Sequence, residues 1–366
     1  MKIGVNLTHL TSLNSGAKTY FSNLFEALLK IDIENRYYFF LPDNFNLNEF
    51  NFLKKKNISI IFTKLPQQIN PGKLSFFRFI KIYFYFKKYF KNNKFDIFIH
   101  TSLPLIKNPH GKTISNIFDI RYLYKDYEFN FFKRIIYRIL LNYCLKFSDY
   151  IFTISNFIRK EILKNFQIKN KKLKVFYCSL KKQKKVKKTK NNYLLSVGHF
   201  EKRKNYFNLV KSFNILKKKY KYSGKLIIVS NNFTRNNNVI SYLKNHKIDQ
   251  FVIIKKNISN NRLKYYYANT DLFIFPSLYE GFGLPILEAL MQDTKILTSN
   301  ISIFKEILGS KFIYFNPLSP KDISKKIYLC INKKKQLFNN KNNQSILNKF
   351  SSKKISNDYL KFLNEI

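Results

Sequence analysis

Two glutamates, Glu280 and Glu288, stand on either side of a turn that carries Gly281 and Gly283, in the run Phe275-Pro-Ser-Leu-Tyr-Glu-Gly-Phe-Gly-Leu-Pro-Ile-Leu-Glu-Ala. Ionised carboxylates only accept hydrogen bonds, so such a pair suits a hydroxyl-rich partner. Upstream, Arg203 and Lys204 fall between a strand-like and a helix-like segment. Two cations so placed can meet a diphosphate through charge-assisted hydrogen bonds. Neither signal is specific alone. Isolated glutamate pairs are mostly solvated surface residues, and an Arg-Lys pair means little in a chain of formal charge +46.

The flanking elements give these residues a context. Leu272 to Phe275 is a short apolar run of β-formers, stopped by Pro276. Pro285 suits the first turn of a helix, where its missing N–H would be unpaired anyway. Ile286, Leu287, Ala289 and Leu290 then supply apolar positions. Gly281 and Gly283 lie where a backbone must bend or approach a ligand. A helix N-terminus behind such a turn presents amides and a positive dipole end to anions. The cations have a similar setting: a strand over Tyr193–Val197, the loop Gly198 to Asn205, and a helix over Tyr206–Lys219.

The first half alternates in the same way. Lys2–Asn6 reads as a strand, Ser15-Gly16 opens a helix over Ala17–Lys30, and strands follow at Tyr37–Leu41, Ile58–Thr63, Asp96–His100, Lys112–Ile117 and Tyr150–Ile154. Ser155 caps a helix through Glu161, and Val175–Tyr177 reads as a last strand. Lys73–Lys94 is an aromatic helix with an apolar stripe and a basic opposite half. It fits a core helix with a solvated face or one resting on an anionic membrane. Lysines interrupted only by Gln183, Val186 and Thr189 fill Lys181–Lys190. Like charges repel, so this stretch is expected to be an extended linker, with a basic nucleic-acid tract as the alternative. Further strands are expected at Lys225–Ser230, Phe251–Ile254, Asp271–Phe275 and Lys295–Thr298. Strand–helix alternation implies a parallel sheet in each of two domains.

Composition bounds the rest. The 366 residues suffice for two cores, and a hydrophobic share of 45% argues against disorder. The charge alone would suggest nucleic acid or anionic membrane. However, the chain is saturated throughout with Lys, Asn, Ile, Phe and Tyr and contains no Trp, a bias of an AT-rich coding sequence, so no nucleic-acid partner is expected. Cys144, Cys178 and Cys330 show no C-x-x-C spacing and suit buried thiols in a reducing cytosol. The N-terminus turns polar at Asn6, so no signal-peptide core is expected, and no apolar run approaches the ~18 residues of a membrane span.

The run E-G-F-G-L-P-x-x-E after a strand ending in Pro-Ser resembles the donor-sugar motif of the retaining glycosyltransferases of family 4, which have the GT-B fold. The resemblance implies two Rossmann-like domains with parallel sheets facing a central cleft: residues 1–180 binding the acceptor, a linker at 181–190, residues 191–349 binding the nucleotide sugar, and residues 350–366 crossing back. It implies that Glu280 holds sugar hydroxyls, that the amides of Gly281, Phe282, Gly283 and Leu284 hold the diphosphate, and that Glu288 holds the ribose. V-G-x-x-x-x-R-K-N resembles the family's phosphate segment, which carries that role to Arg203 and Lys204. Ser15-Gly16-Ala17-Lys18-Thr19-Tyr20 keeps the first Gly of the family's N-terminal loop, making Gly16 a donor-side residue, but has Lys18 at the second. Ser155 to Arg159 resembles another family segment. Asp119 keeps the acid of the family's His-Asp pair, while Phe118 stands where the histidine would be.

The implied reaction moves a sugar from a nucleoside diphosphate sugar, GDP-mannose as first guess, to a hydroxyl of a glycan or lipid-linked acceptor, in cell-surface polysaccharide synthesis. Glu280, Arg203, Lys204 and Asp119 are the expected catalytic residues. No D-x-D segment ends a strand, so protein cations are expected in place of a metal, and no cofactor is expected. A cytoplasmic enzyme is implied, with peripheral contact at the inner membrane face. The alternatives are another GT-B enzyme, such as a phosphorylase or epimerase, and an inactive relic acting as a basic binding protein.

Overall fold

Runs such as Ile3 to Val5 and Ile97 to Ile99 are buried throughout, as strands of a helix-covered parallel sheet must be. The computed structural model describes residues 1–9, 16–47, 50–65, 76–101, 106–124, 129–181, 183–189, 191–230, 238–332 and 340–366. Two compact units result: Met1–Lys181 with Phe350–Ile366, and Lys182–Lys349.

The first unit contains β1 (Lys2–Asn6), α1 (Gly16–Ile31), β2 (Arg36–Leu41), β3 (Ile58–Phe62), α2 (Phe76–Asn92), β4 (Ile97–His100), β5 (Lys112–Ile117), α3 (Phe131–Phe147), β6 (Tyr150–Thr153), α4 (Asn156–Asn165) and β7 (Leu173–Val175). Its seven strands run in the order β3-β2-β1-β4-β5-β6-β7, and every pairing is parallel. The order reverses between β1 and β4, which makes that pair the topological switch point. Ser155 caps α4 as the sequence implied, its hydroxyl accepting from the Ile158 amide at 3.2 Å.

The second unit contains β8 (Tyr193–Val197), α5 (Tyr206–Tyr220), β9 (Lys225–Val229), α6 (Asn238–Asn245), β10 (Val252–Lys255), α7 (Asn260–Asn269), β11 (Leu272–Phe275), α8 (Leu284–Met291), β12 (Ile296–Ser299), α9 (Ser302–Leu308), β13 (Tyr314–Phe315), α10 (Pro320–Asn332) and α11 (Asn340–Lys349). Its sheet order is β10-β9-β8-β11-β12-β13, with the switch point between β8 and β11. The last helix, α12 (Ser352–Asn364), belongs to the first unit. Ser351 caps it, Ser352 Oγ donates to the Leu180 carbonyl at 2.6 Å, and Tyr359 and Leu363 are fully buried.

Several expectations shift. β7 lies two residues before the expected Val175–Tyr177, and Phe176 just beyond it packs against Tyr359 and Phe362 of α12 at ring distances of 4.8 and 5.9 Å. The basic stretch, expected as an extended linker, has no helix or strand over residues 183–189 and is held by specific partners. Lys181 pairs with Glu26, whereas Lys185 pairs with Asp293. The Val186 amide donates to Gln292 at 3.0 Å, and Lys188 to the Asp293 carbonyl at 2.9 Å. These bonds fasten residues 185–188 along the end of α8. In α2, Phe86 and Phe90 enter the core. Its apolar stripe therefore faces inward, as a core helix requires. Residues 73–75 of the expected helix and Ser15 lie outside the described residues.

Candidate active site

The loops after β8 and β11 meet at the second unit's switch point. After β8, residues Lys202–Lys204 form a single tight turn, and Asn205 leaves it in the left-handed region at φ 57°. Asn205 Nδ2 donates to the carbonyls of Pro276 at 3.1 Å and Pro317 at 2.7 Å. The Leu278 amide donates back to the Arg203 carbonyl at 2.7 Å. The β8 loop is thus stitched to the one carrying Glu280. Gly198 has φ 153°, and a β-carbon there would stand 3.2 Å from Lys204 Cε and from Tyr206 Oη. Glycine at this position leaves room for the Lys204 stem to pass.

Glu280 receives three side chains. Lys204 Nζ donates to Oε1 at 2.5 Å, Ser277 Oγ to the same oxygen at 2.8 Å, and Arg203 Nη1 to Oε2 at 2.7 Å. Arg203 Nε also binds Glu201 at 2.5 Å. Lys204 lies over the Phe275 ring, 4.8 Å from its centre. Burial pushes the Glu280 carboxyl up, but Arg203 and Lys204 together outweigh it and hold the pKa down at about 2. The acid is ionised at neutral pH. Burial also pulls the Lys204 ammonium down, against the attraction of Glu280. A carboxylate has about four lone-pair sites. Three are filled, leaving one on Oε2.

Gly283 is the N-cap of α8, with φ 135° and no side-chain cap bond. That conformation selects glycine, and it lets the chain turn from Phe282, which is 4% exposed, into the helix. Gly283 brings no side chain to cap α8, whose positive end faces the turn that carries Gly281. Glu288 projects from this helix, half-buried, and accepts from Tyr267 Oη at 2.9 Å. Burial raises its pKa, against the Tyr267 hydrogen bond.

In the first unit, Gly16 is the exposed first residue of α1, with nothing within 4 Å of a β-carbon built there. Asp119 accepts from the Arg121 amide at 3.3 Å and lies 3.8 Å from its guanidinium. Phe118 packs edge-on against Tyr20 and Phe21, at ring distances of 5.3 and 5.4 Å. Apolar packing has taken the place where the family resemblance puts an imidazole.

Of the residues singled out from the sequence, Arg203, Lys204 and Glu280 come together, and Glu288 stands on the helix that follows their turn. Sequence reading missed Ser277, although it lies three residues before Glu280 on the same turn. It also missed Glu201, whose partner Arg203 is two residues away on the same turn, and Tyr267, whose partner Glu288 is brought to it by tertiary packing.

The family model "Glycosyltransferase Family 4" matches residues 14–181, and "Glycosyl transferases group 1" matches residues 179–346. The chain belongs to glycosyltransferase family 4. Among relatives of this family member, the O-antigen chain mannosyltransferase RfbU of Salmonella typhimurium is 31% identical over 229 residues, 62% of each chain. The O-antigen chain mannosyltransferase B of Escherichia coli is 26% identical over 190 residues, 48% of this chain and 50% of its own. The matched region thus spans about three fifths of the first relative and half of the second. Solved structures extend the likeness over the whole fold. Sucrose-phosphate synthase from Thermosynechococcus elongatus has a TM-score of 0.79 at 16% identity, covering 100% of this chain and 98% of that one. Anabaena Alr3699/HepE, in complex with UDP and glucose, has a TM-score of 0.73 at 13% identity, with both chains fully covered at 100%. The fold of this family 4 member is GT-B, with two parallel-sheet α/β domains.

Proposed function

We propose that this protein is a retaining glycosyltransferase of cell-surface polysaccharide synthesis, moving a hexose from a nucleoside diphosphate sugar to a hydroxyl of a glycan or lipid-linked acceptor. The observation that carries the reading is the Glu280 cluster outside the carboxyl ends of β8 and β11, where open α/β sheets bind ligands. GDP-mannose is the first donor to test, motivated by relatives named mannosyltransferases. UDP-glucose is the second, because HepE was solved with UDP and glucose.

In this reading Arg203 and Lys204 face the diphosphate and stabilise the charge that develops as it leaves. The amides at the start of α8, Gly281 to Leu284, complete the phosphate cradle. Glu280 uses its remaining Oε2 site to accept one sugar hydroxyl, and Glu288 receives the ribose. A carboxylate held at about 2 by two cations is a weak base and nucleophile. That favours a front-face reaction, in which the leaving phosphate takes the acceptor's proton, over double displacement through Glu280. Asp119 and Gly16 belong to the first unit, to which this reading gives the acceptor. No metal or cofactor is given a role.

Among the described residues no helix is long and apolar enough to cross a membrane. The proposed membrane contact is peripheral and lies on α3. Phe131, Phe132, Ile135 and Ile139 of that helix are 67, 74, 42 and 61% exposed. Lys133, Arg134, Arg138 and Lys146 share the helix, which has no acidic residue. That combination fits an anionic bilayer surface.

A thermal-shift screen against nucleotide sugars tests the donor reading, because a ligand of the native state raises the melting temperature by mass action. A donor-hydrolysis assay accompanies it. The expected result is stabilisation and nucleoside diphosphate release with one base and one hexose. Absence of both with every donor would leave the relic reading, which Phe118 motivates.

A further inference from the structure

The first unit's switch point also joins two loops, those after β1 and β4. His9 follows β1 and Thr101 follows β4, and His9 Nδ1 lies 3.0 Å from Thr101 Oγ. The Thr101 hydroxyl donates to the Asn6 carbonyl. A hydroxyl has one hydrogen, so Thr101 Oγ must accept from His9, and the imidazole proton sits on Nδ1. Burial, then Arg78, pulls the His9 pKa down to about 4, so the ring is neutral at pH 7. Nε2 is therefore a bare acceptor. It is shielded from water and meets no donor, an arrangement that is destabilising unless a ligand uses it.

The ring is also held in place. It packs edge-on to Phe21 at 6.3 Å and 77°, and Phe118 packs edge-on to the same Phe21 at 5.4 Å. His9 and Phe118 thus share Phe21 as an aromatic neighbour. Next to it, His100 is fully engaged, with Nδ1 at 3.3 Å from Asn6 Nδ2 and Nε2 at 3.0 Å from the Ile106 carbonyl. Only His9 keeps an unused imidazole nitrogen at this switch point among the described residues.

We propose that His9 Nε2 accepts a hydrogen bond from a hydroxyl of the acceptor sugar, making the β1–β4 switch point a hydroxyl-binding subsite oriented by Thr101. This deepens the glycosyltransferase reading and rests on it. The ligand class is a polyol, because a neutral acceptor nitrogen pairs with an O–H and gains nothing from an anion. Phe118 cannot supply such a group. His9 binds and orients, and no proton is assigned to it in the reaction.

Isotope-labelled histidine observed by NMR tests the subsite directly, with His9→Phe used to assign the signal. The expected resting state has Nδ1 protonated and Nε2 bare, and methyl α-mannopyranoside shifts the Nε2 signal. Transfer from the active donor to octyl α-mannopyranoside gives the second readout. His9→Phe should raise the acceptor KM by about three- to ten-fold, the worth of one neutral hydrogen bond, while the donor KM moves less than about two-fold. Gln places an amide oxygen near the Nε2 position and should recover most of the loss. Asn keeps only a partner for Thr101 and should not. A resting ring protonated on Nε2, no shift with methyl mannoside, glucoside or galactoside, or a Gln variant no better than Asn would each overturn the subsite. If the wild type releases no nucleoside diphosphate from any donor, the transferase reading falls, and the NMR titration still decides whether His9 receives a hydroxyl.

Discussion

Replacing Glu280 with Gln preserves volume and removes one charge from a cluster of two acids and two bases. Lys204, 7% exposed, then keeps its ammonium beside Arg203 with no counter-charge on the 280 side chain. A carboxyl held at about 2 instead of the ordinary ~4.3 corresponds to about 3 kcal/mol of folding stability. Breaking a buried pair by removing one partner costs a similar amount, about 3–5 kcal/mol. Glu280→Gln is therefore expected to be about 3 kcal/mol less stable at pH 7 in urea unfolding. The folded pKa is depressed, so the wild-type advantage is fully present above the unfolded value near 4.3. It is lost as pH falls through about 2, and the gap between the two proteins should narrow below pH ~4. Turnover should fall at least about ten-fold, because a charge-assisted bond to a sugar hydroxyl becomes a neutral one. Binding of the sugar-free nucleoside diphosphate should hold or tighten, since Arg203 and Lys204 lose an intramolecular competitor. Equal stability at pH 7, or a stability gap that does not change between pH 7 and pH 3, would refute the electrostatic account of the cluster.

Other expectations are simpler. Replacing Arg203 and Lys204 together by Ala should weaken both the free nucleoside diphosphate and the nucleotide sugar; unchanged calorimetric affinity for the diphosphate would remove them from the phosphate site. Glu288→Ala should weaken the same two ligands through the ribose they share. A loss confined to the nucleotide sugar would move Glu288 to the hexose. Phe131→Asp with Ile139→Asp should abolish sedimentation with anionic vesicles, and wild-type binding should fall with salt as screening weakens surface attraction. Wild-type binding to neutral vesicles of equal strength would reject the electrostatic part of that contact.

The second unit's candidate site could be located along the chain because its parts are local. Pro276 stops a strand, Gly283 takes a φ that selects glycine, and Pro285 starts a helix, so Glu280 and Glu288 could be placed by counting along the chain. Arg203 and Lys204 were placed between strand and helix, but their meeting with Glu280 comes from parallel pairing of β8 with β11, which no local pattern reports. α11 was missed because Asn340 to Asn343 and Gln344 lack an apolar stripe. The lysine-rich stretch lies where the two units meet in the chain, and its composition does not show what holds it. Repulsion among like charges predicts an extended linker, and only the fold shows that Asp293 and Gln292 offer acceptors that hold it. α2 announced its apolar stripe, but burial against β2 and β4 settled what the stripe faces. The exposed apolar residues of α3 carry no such mark, since exposure is a property of the fold.

The return of α12 to the first unit bears on how the chain is made. Residues 182–349 form an uninterrupted unit, and α12 follows it in the chain and in the order of emergence from the ribosome. The first unit needs Tyr359 and Leu363 against the side of its sheet and α1, and Asn364 lies 3.4 Å from Asn35 near its other end. Domains generally fold as units, in the order of synthesis. Here that order is inverted: the half translated first is finished last, with apolar side chains of α1 and β6 uncovered until α12 emerges. A stop codon just before Phe350 would spare every residue of the Glu280 cluster while depriving the other half of its closing helix.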